Sequence, residues 1–244
     1  YGPSFPVLTI RDIVQMELYL INHLNITAIQ CVIGGSMGGM IALEFALIDP
    51  RIKRAFLMAM GKAHTAWSIG LSHLQRKAIY QDTNWNGGRY SDESPPSQGL
   101  SLARQIGMMT YRSPEDYEAK FSRDIRKIKE HPYFEVESYL DYQGRKLDER
   151  FDALSYERLT RSMDTHDISR GHGNFKEVTK LITIPIHIIG IQSDALYPIA
   201  EQKELAQLLP NADFTAIESR YGHDAFLIEF KQLTKILALF LANT

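Results

Sequence analysis

Three regimes of apolar spacing divide the chain. Over about 10–24 the apolar positions recur at helical steps, the run Ile29 to Ile33 is short and β-prone, Met40 to Ala46 is helical again, and 53–60 reads as a strand. From 62 to 180 the period stays helical, with abundant charge, no convincing strand and a Gly/Pro/Ser-rich loop at 86–99. The strand–helix rhythm then resumes: Ile184 to Gly190 as a buried strand, Ala200 to Leu209 as a helix, Ala212 to Ile217 as a strand and Phe226 to Leu241 as an amphipathic helix. Alternation of this kind predicts an α/β fold, a doubly wound, mostly parallel sheet with helices on both faces. Residues 1–61 form the first part of the core, 62–180 an inserted helical cap, and 181–244 the second part of the core. Thr9, with Asp12 three residues on, predicts the N-cap of the first helix in a variant of the capping box.

Composition narrows the functional classes. A length of 244 residues allows one large domain carrying a sizeable insertion. The net charge of -2, with signs evenly mixed, gives no electrostatic reason to expect nucleic acid or an anionic membrane as partner. No apolar run approaches the roughly 20 residues that span a bilayer. The single cysteine, Cys31, excludes an internal disulfide and suits a reducing, cytoplasmic setting. The opening Tyr1-Gly2-Pro3-Ser4-Phe5-Pro6 has neither an initiator methionine nor a signal pattern, and it reads as a chain whose beginning is absent.

The chemistry concentrates at Ile33-Gly34-Gly35-Ser36-Met37-Gly38-Gly39, between the run 29–33 and the helix that follows. A strand turning abruptly into a helix forces strained backbone angles on the turning residue, and side chains at positions 34 and 38 would collide there. Such a turn lifts the Ser36 hydroxyl above the carboxyl end of the sheet, beside helix amides able to bind an oxyanion. A serine nucleophile needs a base, and the base needs an orienting carboxylate, in the chain order Ser, Asp, His. Asp194 follows the strand ending at 190, and His223 lies in the loop after the strand ending at 217. Parallel strands bring those two ends to one edge. Of the eight histidines, His223 alone is flanked by glycine in such a loop. His64, His73 and His131 fall in the cap, His187 within a strand, and all four read as packing or surface. Met163-Asp164-Thr165-His166-Asp167 lacks a second histidine or cysteine at ligand spacing, so a loop or helix end lining the cleft is expected there rather than a metal site.

Around these residues and well beyond them, the sequence resembles the homoserine O-acetyltransferases, acyl-transferring members of the α/β-hydrolase fold. The matching stretches include Phe5-Pro6 with Thr9-Ile10-Arg11-Asp12, Gly34 to Met40, Gly99-Leu100 through Ala103-Arg104 to Tyr111-Arg112-Ser113, and Val136 to Gly144. Arg150 to Ala153, Met163 to Asp167, Ser193-Asp194 and Gly222 to Leu227 complete them. The resemblance implies ping-pong transfer from acetyl-CoA, as co-substrate without a permanently bound cofactor, to the side-chain hydroxyl of L-homoserine, a step of methionine biosynthesis. It implies Ser36, Asp194 and His223 as catalytic residues and the Met37 amide as one oxyanion donor. Arg104 and Tyr111 would take the substrate carboxylate and Asp224 its ammonium group. L-serine as acceptor, succinyl-CoA as donor, and ester hydrolysis are the alternatives. Family members carry further N-terminal strands and a loop giving a second oxyanion amide, neither of which this sequence includes, so strand 29–34 is expected to lie at an open edge. A homodimer through the cap is a further implication.

Overall fold

The computed structural model describes residues 2–128 and 130–242. In chain order its elements are α1 (Ile10–His23), β1 (Val32–Gly35), α2 (Met37–Ile48), β2 (Ala55–Met58), α3 (Ala66–Tyr80), α4 (Ser97–Tyr111), α5 (Pro114–Phe121), β3 (Ile125–Ile128), β4 (Pro132–Phe134) and α6 (Glu135–Asp148). There follow α7 (Ala153–Asp164), α8 (Phe175–Thr179), β5 (Ile186–Ile191), α9 (Ile199–Leu208), β6 (Ala212–Ile217) and α10 (Phe230–Ala242). Short 3-10 turns occupy Gly2–Ser4, Asn86–Gly88 and Gly222–Leu227.

One sheet, in the order β1-β2-β5-β6, is parallel throughout. Successive strand residues point to opposite faces, so neighbours in sequence serve different cores. Leu57 and Ile188 pack with Met40 and Leu43 of α2, Ile10 of α1 and Leu205 of α9. Phe56 and Ile189 pack on the other side with Leu233 and Phe240 of α10. Full burial of each such side chain is worth about 1.5–3 kcal/mol. The expected capping box forms: Asp12 N donates to Thr9 Oγ1 at 3.1 Å and Thr9 N to Asp12 Oδ2 at 2.8 Å.

The segment between β2 and β5 rises over the carboxyl ends of the strands as a helical layer. Ile79 of α3, Leu100 and Ala103 of α4, Leu147 of α6 and Tyr156 of α7 share its core.

Four expectations need correcting. The antiparallel pair β3–β4 lies inside the segment read as strandless. Its sequence Ile125-Arg126-Lys127-Ile128 has no period-two alternation and is half charged, so it carries no strand signature. The strand expected from Ile184 begins at Ile186, because Pro185 has no N–H for the ladder and serves only as acceptor for Ala55 N. The helix expected from Phe226 begins at Phe230, since 222–227 are wound into a 3-10 turn around His223. Finally, a Cβ on Gly38 would meet nothing within 4 Å. The tight glycines are Gly34, whose Cβ would drive into the Gly38 carbonyl, and Gly39, whose Cβ would come 2.6 Å from Met60 Cγ.

Candidate active site

Ser36 sits where β1 becomes α2, at φ 53° and ψ -126°, a region that residues other than glycine rarely occupy. Its amide donates to Met58 O at 2.9 Å, which pins the turn to β2. The Ser36 hydroxyl does not cap its own helix, and the residue lines a cavity of about 250 Å³ beneath the helical layer. Met37 is the first residue of α2, so its amide is one of the orphan donors at the helix start.

The acid and base come from the loops after β5 and β6. Asp194 Oδ2 accepts from His223 Nδ1 at 2.7 Å, while Oδ1 accepts from the amides of Leu196 (2.8 Å) and Tyr197 (2.9 Å). Both oxygens are therefore engaged, which fixes the imidazole ring and the tautomer with its proton on Nδ1. Ser193 staples the loops together: its Oγ donates to Ser219 O at 2.5 Å and accepts from Gly222 N at 3.1 Å. Gly222 adopts φ 64°, and a Cβ there would lie 2.6 Å from the backbone of Arg112, so only glycine fits.

His223 is 4 % exposed and stands among aromatic rings: Tyr197 at 5.4 Å, Phe226 at 5.4 Å and Tyr111 at 6.1 Å between centroids. Tyr111 and Tyr197 line the same cavity as Ser36, and Phe226 lies under Gly35, where a Cβ would come within 2.6 Å of the ring. The imidazole thus stands at the lip of the serine's cavity. Nε2 has no hydrogen-bond partner among the described residues, leaving it open to accept a proton from a hydroxyl.

Arg104 and Tyr111 line this cavity as well, with the Arg104 guanidinium 5.2 Å above the Tyr111 ring. Arg104 has no carboxylate partner among the described residues, and its buried Nε is without a hydrogen bond. A guanidinium with no ion pair, facing a small cavity, has donors free for an anion. Asp224 stands apart from the cavity lining and forms an ion pair with Arg112 Nε at 3.2 Å. Burial raises its pKa, against the pull of the Arg112, His223 and Arg104 charges.

Sequence reasoning assigned no role to the opposite wall. His64, four residues beyond Met60, lines the cavity, and its Nδ1 is hydrogen-bonded to Tyr197 OH at 3.1 Å. Burial first, then the proximity of His166, lowers its pKa to about 4, so it is neutral at pH 7. Asp164, at the end of α7, pairs with Arg76 at 2.7 Å, and Met163 lines the cavity, matching the expected helix end at the cleft. His166 instead bonds Gly61 O through Nε2 at 2.9 Å. Only the position of His64, just past a strand's carboxyl end, could have marked it. A larger cavity of about 580 Å³ lies between Pro6 and Leu154, with none of the candidate catalytic side chains in its wall.

A model of the α/β-hydrolase fold matches residues 2–230. The chain is 48 % identical over 243 residues to a homoserine O-acetyltransferase of Chlorobium chlorochromatii, covering 99 % of this chain and 68 % of that protein. It is 49 % identical to one of Chloroherpeton thalassium, covering 98 % of this chain and 63 % of the relative. The chain thus spans about two thirds of the length of these relatives. Among solved structures, a homoserine O-acetyltransferase of Bacillus anthracis superposes with a TM-score of 0.94 at 26 % identity, covering 100 % of this chain and 68 % of that one. An esterase called E22 (L374D mutant) superposes at 0.92 with 24 % identity, covering 100 % of this chain and 69 % of that one, and at that identity it speaks for the fold alone.

Proposed function

The chain belongs to the homoserine O-acetyltransferase family of the α/β-hydrolase fold, and from that premise we propose that it moves an acetyl group from acetyl-CoA to the side-chain hydroxyl of L-homoserine in the cytoplasm. In the first half-reaction His223 Nε2 takes the Ser36 proton as Oγ bonds to the thioester carbon. The oxyanion falls beside the Met37 amide, and on collapse the C–S bond breaks and the thiolate leaves with the proton from His223. In the second half-reaction the homoserine hydroxyl gives its proton to His223 and attacks the acetyl-serine, and Ser36 leaves with that proton restored. Asp194 holds the ring throughout and stabilises the imidazolium.

The observation that carries this reading is the unpaired Arg104 over Tyr111, in the same cavity as Ser36. Hydrolysis of a neutral ester gives that cation no task, whereas an amino-acid carboxylate does. Asp224, which pairs with Arg112 and feels the Arg104 charge, would take the ammonium group. Homoserine and L-serine differ by one methylene, a distinction worth about 1–3 kcal/mol, so the preference between them is one of degree. No helix among the described residues is long and apolar enough to cross a membrane.

The test is acetyl-CoA consumption with homoserine, serine or water as acceptor. Homoserine should turn over fastest, and Arg104→Ala should raise the acceptor KM roughly 10- to 100-fold, the loss of a charge-assisted contact, with the donor half-reaction unchanged. Equal turnover with water and homoserine would contradict the proposal.

A further inference from the structure

We infer that Tyr197, held in place by His64, is a positioning residue that sets the Asp194–His223 pair, so that the cap and the acid–base machinery act as one unit. Tyr197 is 1 % exposed and touches the catalytic pair in two ways at once. Its backbone amide donates to Asp194 Oδ1 at 2.9 Å, and its ring lies 5.4 Å from the His223 ring, tilted by 40°. A displacement of this one residue therefore moves both an acceptor bond of the acid and a wall of the base.

What fixes Tyr197 lies across the cavity. Its hydroxyl meets His64 Nδ1 at 3.1 Å, and the two rings sit 5.8 Å apart. With the Tyr197 hydroxyl as donor, the neutral His64 carries its proton on Nε2, which faces Ser72 Oγ at 3.5 Å and Asp164 Oδ1 at 3.6 Å. Asp164 is anchored in turn by Arg76. The contacts Ser72–His64–Tyr197 thus link α3 to the residue whose amide holds Asp194, the partner of the imidazole. Two further bonds hold the same loop to α3: Trp67 Nε1 donates to Ala195 O at 2.8 Å and Ser68 Oγ to Leu196 O at 3.2 Å.

Tyr197→Phe keeps the ring and removes the bond, His64→Leu removes the acceptor, and His64→Asn restores an acceptor near the Nδ1 position. Two readouts are compared: kcat and KM for acetyl-CoA with homoserine, and the downfield proton resonance of His223 Nδ1–H in the free protein. Tyr197→Phe and His64→Leu should each lower kcat about tenfold with KM nearly unchanged, the scale set by slight misplacement of a catalytic group. The double variant should be no worse than either single one, because both cut the same link. His64→Asn should recover most of the rate, and the resonance should weaken in the two disrupting variants and return in the restoring one. A wild-type kcat in Tyr197→Phe, additive losses in the double variant, or a loss falling on KM would overturn the inference. The kinetic arm rests on the proposed acyl transfer. Should the parent protein transfer no acetyl group, that proposal fails while the proton resonance still decides this one, and a resonance equal in all variants refutes it. Should His64→Leu fail to fold, Tyr197→Phe carries the test.

Discussion

Asp194 and Glu201 are carboxyls close enough to feel each other's charge, and their surroundings treat them oppositely. Among the described residues Asp194 receives three donors, whereas Glu201 receives only Thr65 Oγ1, at 3.2 Å, and its buried Oε2 has no hydrogen-bond partner. Burial, reinforced by the charges of Asp194 and Glu204, pushes the Glu201 pKa up from 4.5 to about 7. Its folded-state pKa exceeds the unfolded one, so between those two values the folded protein binds more protons than the unfolded chain. Stability contributed by Glu201 is accordingly present below pH 4.5 and lost as the pH climbs to about 7. Glu201→Gln should remove that slope and, at pH 8, stabilise the protein by about 1–2 kcal/mol after allowance for partial exposure. Urea unfolding at pH 5 and pH 8 checks this, and an equal effect at both pH values would contradict it.

Local rules strong enough to act without tertiary help were the legible ones. The capping box of α1 closes within three residues, and the turn at Ser36 announces itself because strand, glycine and helix signals coincide over Ile33 to Met40. The loops carrying Asp194 and His223 follow from the rule that parallel strands gather their carboxyl ends. What could not be read depends on contacts between distant segments. His64 and Tyr197 are 133 residues apart, and nothing local to either says that they bond. The start of α10 is delayed because Phe226 is needed beneath Gly35, a packing fact with no periodic signature. Gly38 looked like a steric necessity by its place beside the serine, yet the crowding falls on Gly34 and Gly39, which approach backbone and Met60.

Beyond the site, two apolar surfaces remain. β1 is an edge strand with Ile33 49 % exposed, an open row of backbone donors and acceptors of the kind that pairs with other chains. On the helical layer, Leu102 and Met109 of α4 and Tyr142 of α6 are exposed, and a homodimer through this face is our proposal. Sedimentation velocity separates the two surfaces: Leu102→Glu should convert dimer to monomer, while Ile33→Lys should leave the dimer and remove only larger, concentration-dependent aggregates. A monomeric parent protein would contradict the proposed dimer.

The most direct test of the central claim is peptide mass spectrometry of the protein mixed with acetyl-CoA and no acceptor. One acetyl group should appear on the peptide containing Ser36, vanish when homoserine is added, and be absent in Ser36→Ala. An acetyl group that forms elsewhere, or catalytic turnover that persists in Ser36→Ala, would contradict the covalent mechanism.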